Sequence, residues 1–388
     1  ALDDGKHLAT LSALESLMER QRARIDAAQE AEKKKAEVEA RKRNDCNVFC
    51  WLTSWGGDSS KKDENIEHEK DSKLSLITAM GDLNSNEELV YAVGVNPVEE
   101  RITVTFRGSV TKNDFITDAK ISFVKVPDPR DLNEGDLGIH SGFYEYLFVH
   151  PKRKQSKYAE IMDHILQLLD ENPIRKSYKL YITGHSLGGA LATIFGFFTA
   201  AMSCPLPLPV TVVSVASPRV GNIHFARAFV EMESQGKLRH LRVANHKDPV
   251  TLGPTVSSKR ALALSAKVFS PLGYLGLIMA GNNEGGDEEV YYHTGMKMKL
   301  FKGSQECEFS YSGATIISGS KKPAAIDKDD LEEIEQSKSR MRRQSSAELP
   351  MVSYHYGTSY SERIALAESD LDGLKLNNLY LEKTGGMV

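Results

Sequence analysis

Lys179-Leu180-Tyr181-Ile182-Thr183-Gly184-His185-Ser186-Leu187-Gly188-Gly189-Ala190 is the stretch that decides how this chain folds. Lys179 to Thr183 has the length and apolar content of a short buried strand. Ala190 to Ala201 is apolar nearly throughout and reads as a buried helix. Three glycines and one serine lie between them. A strand that runs straight into a helix turns sharply, and small residues let backbone and helix crowd together there. A serine at that turn stands clear of the sheet with its oxygen free to attack a carbonyl. The pentapeptide Gly184 to Gly188 alone carries little weight, because Gly and Ser are common residues. The strand before it and the helix after it make Ser186 the candidate nucleophile.

Working outward, Leu89 to Val93 and Ile102 to Phe106 are strand-like. Ile139 to Phe148 and Tyr158 to Leu169 read as helices. Val210 to Val215 and Leu238 to Val243 are further strands, and Glu362 to Glu368 reads as a closing helix. Strands alternating with helices imply an α/β fold with a mostly parallel central sheet flanked by helices on both faces, and the serine at the strand-to-helix turn makes the α/β-hydrolase type the expected one.

The 388 residues are 40% hydrophobic and 26% charged, enough for a sizeable core. A net charge of -4 argues against nucleic acid as a partner. Cys46, Cys50, Cys204 and Cys307 have no disulfide-framework or zinc-site spacing, and acyl transfer by a serine needs no metal or organic cofactor, so none is expected. No Asn-x-Ser/Thr acceptor site occurs. The expected setting is cytoplasmic or peripheral to a membrane or lipid droplet. The first residue is Ala1 rather than Met, which leaves a removed leader and secretion open. The longest apolar run, Val268 to Gly281, is shorter than the roughly 20 residues a membrane span needs.

Residues 1–57 read as a helical N-terminal extension, with a charged helix over Lys6 to Arg43. Leu11, Leu14, Met18, Ile25 and Ala28 trace a short heptad seam, the one hint of a helix-mediated protein partner. Residues 58–73 read as a charged linker and 74–388 as the hydrolase domain. A charged insert, expected to be mobile, covers 318–348 and includes the basic-plus-serine pattern Arg340 to Ser345.

Acyl transfer also needs an acid and a histidine downstream of the serine. Leu238 to Val243 leads into Ala244-Asn245-His246-Lys247-Asp248-Pro249-Val250, which puts Asp248 just past a strand end. His293, in Val290-Tyr291-Tyr292-His293-Thr294-Gly295, and His355, in Ser353-Tyr354-His355-Tyr356-Gly357, both qualify as the base. Spacing leaves that choice open. An oxyanion hole would use the N–H of Leu187 and a donor from the turn after Ile102 to Phe106, where Arg107-Gly108-Ser109 follows.

These segments, taken in order, resemble the fungal-type class 3 lipases. The similarity rests on Thr105 to Ser109, Asp114-Phe115-Ile116-Thr117-Asp118, His140-Ser141-Gly142-Phe143, Gly184 to Ala192, Ser217-Pro218-Arg219-Val220-Gly221-Asn222 and Asn245 to Val250. The resemblance covers about Leu74 to Glu368. It implies Ser186 as nucleophile, Asp248 as acid, and Ser109 with Leu187 as oxyanion donors. It assigns the base to His355, since the family's Tyr-x-His-x-Gly strand matches Tyr291 to Gly295. It also implies a lid over about Val110 to Val126, carrying Phe115, Ile116, Ile121 and Phe123.

The expected activity is therefore that of a carboxylic ester hydrolase acting on acylglycerols or other lipid esters, with peripheral contact to a lipid surface. The competing readings are a phospholipase A or galactolipase with the same triad, and a non-catalytic lipase-like scaffold acting through its helical extension.

Overall fold

The computed structural model describes residues 76–81, 91–108, 122–130, 136–149, 155–202, 206–254, 289–313, 354–372 and 374–386. The expected N-terminal extension, linker, 318–348 insert and apolar run Val268 to Gly281 lie outside these described residues.

In chain order the strands and helices are β1 (Leu76–Met80), β2 (Tyr91–Asn96), β3 (Arg101–Phe106), β4 (Phe123–Val126), β5 (Leu137–His140), α1 (Ser141–Phe148) and α2 (Lys157–Glu171). They continue with β6 (Lys179–His185), α3 (Leu187–Ala201), β7 (Val210–Val215), α4 (Ile223–Ser234), β8 (Leu238–Asn245), β9 (Met296–Leu300) and β10 (Cys307–Tyr311). The chain then enters α5 (Gly357–Leu366), α6 (Glu368–Leu371) and α7 (Leu376–Thr384).

Eight strands form one sheet in the order β1-β2-β3-β6-β7-β8-β9-β10. β3, β6, β7, β8 and β9 run parallel, as a sheet crossed by helices requires. The edges are antiparallel: β1 on β2, β2 on β3, and β10 on β9. The tight turn over residues 97–100 leaves β2 and β3 no other option, since a parallel crossover needs a dozen or more residues. β4 and β5 make a separate two-stranded pair.

Alternation along the strands separates two cores. Val210 and Val212 face one side, where they join Ile182, Phe195, Phe197, Phe225 and Phe229 from β6, α3 and α4. Val213 and Val215 face the other, against Val243, Met298, Leu300, Tyr360 and Ala367. Helices thus cover both faces, as expected. α3 is apolar on every side because it sits buried between the sheet and its neighbours.

Several elements differ from the sequence reading. The helix expected from Ile139 begins at Ser141; Leu137–His140 is instead a strand paired with Phe123–Val126. The apolar spacing of Ile139, Phe143 and Leu147 suits a helix, but Leu137 and Ile139 are buried through strand pairing that no local pattern announces. Phe123, expected in the lid, is part of β4, and its ring stacks 4.1 Å from Tyr291. Val290 to Gly295 forms only isolated bridges, including Tyr292 to Gly221, and the strand starts at Met296. The closing helix starts at Gly357, and two further helices follow it.

Asn222 ties the smaller pair to the main body. Its side-chain oxygen accepts from the Phe225 N–H, capping α4, and from the Gly138 N–H of β5, each at 3.1 Å.

Candidate active site

β6 lies in the middle of the sheet, with Gly184 beside Phe106 of β3 and Ser214 of β7. The chain leaves its carboxyl end through Ser186, which has φ of 59° and ψ of -122°. A non-glycine residue at positive φ is strained, and strain of this kind persists where the surroundings enforce it. Here they do. A side-chain carbon at Gly184 would sit 2.3 Å from the Gly188 backbone, and one at Gly188 would sit 2.3 Å from the Phe106 carbonyl oxygen. Strand, turn and helix cross too closely for any side chain. The serine is lifted off the sheet while remaining only 7% exposed.

His355 Nε2 lies 2.9 Å from Ser186 Oγ. Its Nδ1 lies 3.0 and 3.1 Å from the two Asp248 carboxylate oxygens. The structure therefore brings Ser186, His355 and Asp248 into one hydrogen-bonded line. Asp248 follows β8, and His355 stands two residues ahead of α5, so three separate segments meet at the carboxyl ends of the parallel strands.

Asp248 is buried, at 1% exposure, and a buried carboxylate needs donors. Besides His355 it accepts from the Val250 N–H at 2.9 Å and from the Tyr360 hydroxyl at 2.6 Å. Burial first, then the charge of Asp248, hold the Tyr360 phenol well above its ordinary range, so it stays a donor. The loop carrying His355 is fastened twice more. Asn245 Nδ2 donates to the Tyr354 carbonyl at 2.9 Å, and His185 Nε2 lies 3.0 Å from the His355 carbonyl. Burial, followed by the nearby His355, lowers the pKa of His185 and favours its neutral form.

His293 is directed elsewhere. Its Nε2 lies 2.7 Å from the Thr251 carbonyl. Desolvation, then Arg242 and Arg219, hold its pKa well below the ordinary value. Leu187 opens α3, so its N–H is at a helix start beside the serine. Ser109, Phe115, Ile116 and Ile121 lie outside the described residues. Gly108, just before Ser109, does approach the elbow: a side-chain carbon there would sit 2.8 Å from the His185 carbonyl oxygen and 3.6 Å from Ser186 Cβ. Sequence reasoning missed Tyr360, His185 and Asn245. Asn245 to Val250 and the Gly184 pentapeptide contained two of them, but their partners are more than a hundred residues away.

Among the described residues, no group of three His, Cys, Asp or Glu side chains could hold a metal ion, and no helix is long and apolar enough to cross a membrane.

Residues 103–258 match the family model for Lipase (class 3). Galactolipase DONGLE, chloroplastic, of Arabidopsis thaliana is 29% identical over 180 residues, covering 44% of this chain and 36% of that protein. Phospholipase A1-II 3 of Oryza sativa subsp. indica is 32% identical over 181 residues, covering 42% of this chain and 40% of that protein. The match thus spans less than half the length of either relative. Among solved structures, a triacylglycerol lipase from Penicillium expansum is 19% identical with a TM-score of 0.43, covering 62% of this chain and 75% of that one, too low to add to the strand order. Over residues 103–258, less than half of the chain, the sequence is similar to the class 3 lipase family.

Proposed function

We propose that this chain is a serine hydrolase that cleaves carboxylic esters of lipids, acylglycerols in the first instance, through an acyl-enzyme. The observation that carries the reading is the 2.9 Å contact between Ser186 Oγ and His355 Nε2, with Asp248 on the far nitrogen. Ser186 attacks the ester carbonyl while His355 takes its proton. Asp248 holds the imidazole in the tautomer that leaves Nε2 free to accept, and its charge offsets the imidazolium that forms. The Leu187 N–H, with Ser109 as second donor, meets the developing oxyanion. His355 then passes the proton to the leaving alcohol. Water attacks the acyl-enzyme by the same route and releases the fatty acid. Phe115, Ile116 and Ile121 serve as the apolar face of a cover that opens against a lipid surface.

A second reading, a phospholipase A1 or galactolipase, is favoured by the names of the matched plant relatives. It uses the same triad and differs only in the substrate's head group. The test is fatty-acid release from emulsified triacylglycerol, phosphatidylcholine and galactosyldiacylglycerol by the wild type and Ser186→Ala. The substitution is expected to cost at least about a thousandfold on whichever ester is cleaved. Equal activity of the two would remove Ser186 as nucleophile, and equal inactivity on every ester would favour a non-catalytic scaffold.

A further inference from the structure

The hydrogen bonds around Asp248 include one partner that ester hydrolysis does not formally require. The Tyr360 hydroxyl has two neighbours: the Asn245 N–H, 2.9 Å away, and Asp248 Oδ2, 2.6 Å away. A backbone N–H can only donate, so it occupies a lone pair of the phenol oxygen. The phenol proton is thereby turned onto the carboxylate. Both neighbours come from β8 and the turn that follows it, whereas Tyr360 comes from α5, so the bond also joins the helix behind His355 to the strand ahead of Asp248. Tyr360 is 2% exposed, so the bond lies in the interior, where a hydrogen bond is electrostatically stronger than in water.

We infer that Tyr360 is a positioning residue for the proposed hydrolysis: it fixes the Asp248 carboxylate and draws off part of its charge, and so sets how strongly Asp248 supports the protonated form of His355.

The inference rests on the triad reading, and its physical basis is the competition of several donors for one carboxylate. Val250 N–H and Tyr360 O–H each take electron density that the His355 Nδ1–H would otherwise receive. With the phenol removed, more charge faces the imidazole, the imidazolium is stabilised further, and the histidine keeps its proton to higher pH. Other ionisable groups bear on the same pair. His185 faces the His355 ring with centroids 4.9 Å apart, and the Arg363 guanidinium of α5 acts on Asp248 at longer range. Neither gives Asp248 a hydrogen bond in the described structure, so Tyr360 is the side chain, besides His355 itself, with a direct hold on the carboxylate.

The experiment follows the His355 imidazole by NMR titration of the full chain, a readout that needs no turnover. Tyr360→Phe keeps the ring and removes the donor. Its titration midpoint is expected to move up by about half a pH unit or more. Difluorotyrosine incorporated at Tyr360 is a stronger donor of nearly the same shape, and should move the midpoint down; it carries the test if Tyr360→Phe does not fold. Tyr380→Phe removes a buried tyrosine–carboxylate bond far along the chain, to Glu233, and controls for plain loss of stability. It should leave the midpoint in place. Opposite shifts in the two Tyr360 proteins support the inference. An unmoved midpoint in both, or equal shifts in Tyr360→Phe and Tyr380→Phe, overturns it. Shifts as expected in a chain that hydrolyses no ester would sink the proposed function and leave the positioning role of Tyr360 standing.

Discussion

His185 Nε2 lies 3.0 Å from the carbonyl oxygen of His355, so the residue before Ser186 holds the loop that carries His355. A carbonyl only accepts, which assigns the proton to Nε2 of His185. Burial and the neighbouring His355 lower the pKa of His185, which matters because a second imidazolium would repel the one formed during reaction. His185→Phe preserves volume and deletes the donor. The expected result is a fall in kcat of about fivefold on a soluble short-chain ester, with KM little changed, since one hydrogen bond of about 1 kcal/mol is lost. An unchanged kcat would mean that the loop is held without it.

Glu233 supplies a stability prediction away from the site. It is fully enclosed and accepts from the Tyr311 hydroxyl at 2.8 Å and from the Tyr380 hydroxyl, joining α4, β10 and α7. Burial pushes its carboxyl up to about 8, against the lowering effect of the two phenols. The folded chain therefore holds a proton that the unfolded chain releases above its ordinary value of 4.5. Stability contributed by this group is full below that value, declines as pH rises through the window, and levels off above about 8. Glu233→Gln should flatten the decline in Tm between those limits. An identical pH slope in the variant would contradict the assignment.

Asn222 gives a second stability prediction. One side-chain oxygen caps α4 and also accepts from Gly138 of β5. Asn222→Ala should cost about 2 kcal/mol in denaturant unfolding, a cap and a buried partner lost together. Asn222→Asp keeps the acceptor and should recover most of that. Equal losses in the two would show that the oxygen is not what matters.

These residues also mark how far the sequence could be read. The turn at Ser186 is legible because its constraint is local: a strand, a run of glycines and a helix follow one another between Lys179 and Ala201. Val210–Val215 and the body of α2 are legible for the same reason, one through β-branched residues and the other through apolar spacing. β5 is not, since Leu137–His140 becomes a strand only by pairing with β4 and borrowing a contact from Asn222. Phe123 reads as part of a cover because apolar residues among charges fit a surface helix as well as a short buried strand. His293 and His355 remain equivalent by spacing, and the fold separates them by aiming one at the Thr251 carbonyl and the other at Ser186. Tyr360 and Glu233 give no signal at all, because each is defined by partners on distant elements.

The central claim is that His355, with Asp248 behind it, activates Ser186. It is tested most directly by the rate at which a serine-directed fluorophosphonate labels the chain, with the modified residue located by mass spectrometry. Labelling is expected at Ser186 in the wild type and in His293→Ala, and about a thousandfold slower in His355→Ala. Wild-type labelling of Ser186 in His355→Ala, or its loss in His293→Ala alone, would contradict it.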